Sequence, residues 1–129
     1  MEKGACHLKN ILILGSILGF FAVGIGAFGA HALKDILGER ISIFETGNRY
    51  HFYHTFALFV SAFIYSKYLK KEFLYSSYLF ALGILFFSGS LYALSISGLR
   101  ILGAITPIGG VLFLGGWVTL CYSLIRLQE

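Results

Sequence analysis

ILILGSILGFFAVGIGAFGA, residues 11–30, runs for twenty positions without one Asp, Glu, Lys or Arg. A helix needs about 20 predominantly apolar residues to cross the ~30 Å hydrocarbon core of a bilayer. Outward from it, residues 73–99 and 101–125 repeat the pattern, broken only by Arg100 between them. Residues 52–66 reach crossing length only by taking in Tyr50 and His51. With a mean hydropathy of +0.81 and 12% charged residues, a soluble 129-residue domain could not cover this much apolar surface. The pattern predicts an all-α integral membrane four-helix bundle. It reads as one domain, 1–129, with spans at approximately 10–30, 49–66, 73–97 and 101–125.

Charge sits between the apolar runs. The net charge of +4 does not point to nucleic acid, because the Lys and Arg residues are scattered over helix ends rather than clustered on one face. The expected partner is the lipid bilayer, together with a second copy of the chain or another membrane protein. Lys3, Lys9, Lys67, Lys70, Lys71 and Arg126 fall on one side of a four-span topology. Lys34, Arg40, Arg49 and Arg100 fall on the other. Six against four predicts both termini in the cytoplasm. Ala30-His31-Ala32 has the small-x-small shape of a cleavage site. The preceding apolar run, however, exceeds the ~7–15 residues of a signal peptide, so retention is expected. Cys6 and Cys121 form no redox or metal motif at their separation and read as plain thiols.

Within span one, Gly15 and Gly19 are four apart, as are Ala22, Gly26 and Ala30. Such small-residue faces let a second helix approach closely in lipid, where burial alone does not drive association. Residues 31–48 are the longest polar segment, and their apolar positions recur at three- and four-residue steps. This predicts a short amphipathic helix in the interface plane, followed by a turn at Thr46-Gly47-Asn48. Ser88-Gly89-Ser90 places small polar residues inside span three, where hydroxyls bond to the preceding turn. Pro107, with Gly109 and Gly110 close by, predicts a kink in span four.

The strongest candidate for chemistry joins the end of span one to the start of span two: His31, Glu45, Arg49, Tyr50, His51 and His54. His51 and His54 share a helix face. With His31 and Glu45 they could supply three nitrogens and a carboxylate to Zn or Fe(II). The bland alternative is that interfacial histidines stack on tyrosines and bond to lipid phosphate. Arg49 is placed to pair with Glu45 one turn before it, or with a headgroup. No nucleophile constellation and no phosphate-binding glycine loop occur, and every Asp and Glu lies in a connection or terminus. The missing intramembrane acid argues against proton-coupled transport. No cofactor and no catalytic residue are expected.

Gly26-Ala27-Phe28-Gly29-Ala30-His31-Ala32-Leu33-Lys34 resembles the signature of a widespread family of small four-span membrane proteins of unknown function, the YgdD/YwdK-like proteins. Phe44-Glu45-Thr46-Gly47, Tyr50-His51 and Tyr53-His54 resemble its second block. Residues 87–92 and 104–110 resemble its third and fourth. The resemblance implies four helices, a bacterial inner membrane and no cleavage, and it brings no reaction or substrate. It draws attention to His31, Tyr50, His54, Ser88, Ser90 and Pro107. The expected role is that of a non-enzymatic accessory protein binding a partner, lipid or ion. The alternatives are a small oligomeric transporter or channel, and a metal-dependent membrane enzyme built on the histidines.

Overall fold

The computed structural model describes residues 2–128, and every regular element in it is helical. α1 (Glu2–Phe28) continues through a π-helical segment (Gly29–Leu33) into a four-residue α2 (Lys34–Leu37) and a 3-10 turn (Gly38–Arg40). α3 (Ile41–Tyr68) follows, then α4 (Lys71–Gly83), a second π segment (Ile84–Ser88) and α5 (Gly89–Ser97). A 3-10 turn (Arg100–Ala104) leads into α6 (Thr106–Ile125) and a last 3-10 turn (Arg126–Gln128).

Three helical runs are long and apolar enough to cross a membrane, not four: Gly4–Tyr68, Lys71–Ser97 and Arg100–Ile125. The first is 65 residues long and doubles back on itself. Reversal occurs at Gly38, whose φ of +55° favours glycine. The two arms then pack antiparallel. A Cβ on Gly15 would meet Leu58 and Phe59, one on Gly26 would meet Asn48, and one on Gly29 would meet Phe44.

The interfacial helix expected over residues 31–48 is therefore reduced to α2, because Ile41 already begins α3. No turn forms at Thr46-Gly47-Asn48. Gly47 is buried within α3, where a Cβ would lie 3.1 Å from Leu91 and 3.4 Å from the Ser88 carbonyl. Close helix packing has overridden the local turn signal. Pro107 does not kink a helix either. It stands in the first turn of α6, where its missing N–H costs no hydrogen bond.

The molecule is inside-out relative to a soluble bundle. Phe20 (73% exposed), Phe63 (71%) and Ile101 (79%) face outward, while Ser61, Ser76, Ser77, Ser88 and Ser95 are fully buried. α4 lies between α3 and α6, α1 packs on α3, and α5 returns to α3. Buried hydroxyls tie these helices across their seams. Ser61 Oγ donates to the Phe73 carbonyl at 2.7 Å, Ser76 Oγ to Gly116 at 2.9 Å, and Ser77 Oγ to Leu58 at 3.3 Å. Interhelical bonds of this kind are worth roughly 0.6 kcal/mol each in a membrane bundle. An apolar core of Ile11, Leu58, Phe73, Phe80, Ile84, Phe113 and Leu120 fills the space between them.

The bundle has two distinct ends. At one, Gly4 abuts the Tyr65 hydroxyl, and Lys70 Nζ donates to the Arg126 carbonyl at 3.0 Å. The start of α1, the α3–α4 turn and the end of α6 therefore meet there. At the other end the Arg40 guanidinium lies against Gly98, which ends α5 with a φ of +73°.

Candidate functional site

The histidines expected to converge go to three different places. His31 is exposed in the first π segment. His51 and His54 are both buried, at 3% and 5% exposure, and face different neighbours. Among the described residues no group of three or more His, Cys, Asp or Glu side chains comes together to hold a metal ion. His31, Glu45, His51 and His54 thus do not form the expected ligand set.

His51 belongs to a polar relay joining three helices. Asn48 Nδ2 donates to the Ala22 carbonyl of α1 at 2.9 Å and to the Tyr92 hydroxyl of α5 at 3.1 Å. The carbonyl can only accept, which fixes the orientation of the Asn48 amide. The Tyr92 hydroxyl, having accepted from Asn48, turns its own proton to His51 Nδ1 at 3.0 Å. With Nδ1 as the acceptor the His51 proton sits on Nε2, which is buried without a hydrogen-bond partner. Phe44 packs against Tyr92 with ring centroids 5.1 Å apart and closes the relay toward the Gly38 turn.

His54 takes the opposite tautomer. Its Nδ1 donates to the Tyr50 carbonyl at 2.8 Å, one turn back on α3. Its Nε2 accepts from Trp117 Nε1 at 3.2 Å, and an indole nitrogen can only donate. Phe113 stacks on the ring at 3.5 Å between centroids, with Phe80 behind it at 5.7 Å. Tyr50 covers this cluster from outside, 4.7 Å from Phe87 and stacked at 6.2 Å on Phe113. Both ring nitrogens of His54 are satisfied, so the residue is a clasp between α3 and α6 with no nitrogen left for a ligand.

Glu45 and Arg49 lie one helical turn apart and both are exposed. Among the described residues they make no ion pair within 4.0 Å, contrary to one expectation for Arg49. Both line a groove of about 460 Å³ between the facing ends of α1 and α3. Gly26, Gly29 and Ala30 form its α1 wall, and Phe44, Asn48, Phe52 and Tyr53 its α3 wall.

The remaining candidates divide. Gly15 and Gly26 pack tightly on α3, whereas Gly19 makes only ordinary contact, 3.8 Å from Thr55. Gly109 fits against the backbone of Phe87. A Cβ on Gly89 would meet nothing within 4 Å, and one on Gly110 would only touch Phe87 at 4.0 Å, so neither is a packing glycine. Ser90 Oγ bonds to the Phe87 carbonyl at 2.9 Å and to Thr106 Oγ1 at 2.7 Å, while Ser88 Oγ is buried without a partner. Sequence reasoning missed Asn48 as a network centre, and also Tyr92, Phe113 and Trp117. The single tryptophan of the chain was the signal available.

Comparison with known proteins converges on one group. The family described as "Protein of unknown function (DUF423)" matches residues 25–110, a stretch that includes both π segments, the groove and the Asn48, His51 and Tyr92 side chains of the relay. The "UPF0382 membrane protein" of Staphylococcus epidermidis is 45% identical over 120 residues, covering 92% of this chain and 98% of its own. YwdK of Bacillus subtilis is 41% identical over 121 residues, covering 92% and 98%. The inner membrane protein YgdD of Escherichia coli K12 is 41% identical over 122 residues, covering 94% and 93%. No solved structure matches. With its outward apolar surface, its helices of crossing length and this similarity along nearly its whole length, the chain belongs to the DUF423 family of small membrane proteins.

Proposed function

We propose that the protein is a non-enzymatic accessory component of the inner membrane that crosses the bilayer four times, with both termini cytoplasmic, and holds a ligand in the α1–α3 groove. The observation that carries this reading is the pair Glu45 and Arg49, two unpaired opposite charges on the wall of an open groove. Exposed opposite charges that pair with no protein group within 4.0 Å remain available to a ligand entering the groove. The four-crossing topology is supported by the reversal at Gly38, which turns the 65-residue first run into two antiparallel arms. The orientation is supported by the six-to-four excess of Lys and Arg at the end that holds both termini.

A photo-crosslinking amino acid in place of Phe52, in cells, tests the groove. A discrete adduct, lipid or protein, is expected, and an absence of any adduct removes the reading. A reporter active only in the cytoplasm, fused after Glu129, should be active. Activity there of a periplasmic reporter instead would invert the topology.

A further inference from the structure

Resting on the accessory reading, the geometry points to a specific occupant of the α1–α3 groove: the zwitterionic headgroup of an aminophospholipid, its phosphate on Arg49 and its primary ammonium on Glu45 and Asn48. Three features of the groove match the three parts of such a lipid. Arg49 supplies a fixed fork of N–H donors suited to phosphate oxygens. Glu45, one turn away on the same face, supplies a carboxylate that no protein cation neutralises within 4.0 Å. Asn48 has both amide protons committed to Ala22 and Tyr92, so its Oδ1 is held in place as an acceptor beside Gly26. A primary ammonium carries three N–H donors and can use both oxygen acceptors at once.

The third part is the acyl chain. α3 runs from the Gly38 end toward the termini, so positions beyond Arg49 lie progressively deeper in the bilayer. Phe52 lines the groove, and Phe56 (66% exposed), Val60 (52%) and Phe63 (71%) continue from it along one outward face. This gives a chain bound by its headgroup an apolar track below it. On the opposite wall Gly26 and Gly29 admit Asn48 and Phe44, and beside them the small, exposed Ala30 lines the groove.

The charge arrangement discriminates among lipids. A phosphatidylglycerol offers its phosphate to Arg49 but brings only neutral hydroxyls, and no cation, to Glu45. A phosphatidylcholine has the phosphate and a positive charge, yet no N–H with which to satisfy Glu45 or Asn48. Phosphatidylethanolamine satisfies all three groups.

Native mass spectrometry of the full-length protein, with the three lipids in equal amounts, tests this. Phosphatidylethanolamine adducts should exceed the other two by about tenfold, the value expected of one added charge-assisted hydrogen bond. Glu45→Gln should bring phosphatidylethanolamine down to the level of phosphatidylcholine while phosphate lipids still bind. Arg49→Gln should weaken all three, and Arg49→Lys should restore them in part. Arg100→Gln, outside the groove, should leave the preference unchanged. Both groove charges are exposed, so the variants should melt with the wild type. Equal binding of the three lipids by the wild type, or a preference that survives Glu45→Gln, overturns the assignment. The Phe52 crosslink separates the two readings. A polypeptide adduct overturns the lipid assignment and leaves the accessory role standing, and no adduct removes both.

Discussion

The seam between α1 and α3 and the seam between α4 and α6 are both built on glycine, and they differ in which helix supplies it. In the α4–α6 seam the glycines are reciprocal. Gly83 of α4 receives the Phe113 ring of α6, and Gly116 of α6 receives the Phe80 ring of α4, where a Cβ would lie 2.6 Å from it. Each helix presents one knob and one hole, and the seam is closed at both of these positions. In the α1–α3 seam the tight holes are on α1, at Gly15, Gly26 and Gly29, and the knobs are on α3. Toward its Gly38 end the knobs change from Leu58 and Phe59 to Asn48 and Phe44, and beside these the charged groove lies between the helices. Reciprocal holes make a closed structural joint. One-sided holes leave a helix whose small-residue face extends past its partner, which is where a ligand can reach.

The sharpest way to break the comparison is to fill a reciprocal hole. Gly83→Ala puts a methyl group into the Phe113 ring, which is itself held against His54 at 3.5 Å and cannot swing away. We expect a loss of about 1–3 kcal/mol, read as a clear drop in melting temperature in detergent. Gly15→Ala should cost less, because its methyl meets the far ends of Leu58 and of the half-buried Phe59 ring, which has room to turn outward. Gly24→Ala, which meets nothing within 4 Å, should stabilise. Equal losses at Gly83 and Gly15 would erase the distinction between the seams.

Next in size come the histidines. His54→Ala removes the Phe113 stack, worth about 0.5–1.5 kcal/mol, and orphans the Trp117 N–H. His31→Ala, exposed, should leave the melting temperature unchanged. Added Zn²⁺ should raise the melting temperature of neither the wild type nor these variants, since a ligand stabilises only the state that binds it. A zinc-dependent rise abolished by both substitutions would show that the histidines act together after all.

The membrane reading was legible because the bilayer writes itself directly into hydropathy. The site was less legible because interhelical geometry carries no local signature. His51 and His54 share a face in the loose sense that three residues subtend about 60° around a helix, after a full turn of 3.6 residues is subtracted. α3 is packed on both sides, so 60° is enough to send one ring to Tyr92 and the other to Phe113. Gly47 and Asn48 were read as turn residues. In place, the bare Gly47 admits Leu91, and Asn48 spends its amide on two other helices rather than on a cap. Pro107 was read as an interruption because the apolar run begins before the helix does. Arg100–Ala104 form a 3-10 turn first, so the proline starts α6 instead of breaking it.

The smallest expected effect probes the difference between hydroxyls that tie a seam and one that does not. Ser61 Oγ donates across the α3–α4 seam at 2.7 Å, whereas Ser88 Oγ is fully buried at the end of the second π segment with no partner. A buried unpaired hydroxyl costs about 1–3 kcal/mol of desolvation in a soluble protein, and less where the unfolded reference is also in lipid. Ser61→Ala should therefore lower the melting temperature slightly, and Ser88→Ala should leave it unchanged or raise it. π segments interrupt helices most often at functional sites, so the opposite result has a specific meaning. If Ser88→Ala destabilises as much as Ser61→Ala, the Ser88 hydroxyl is engaged by something that enters the bundle at this segment, and the α3–α5 seam is then a second place where the molecule holds a ligand.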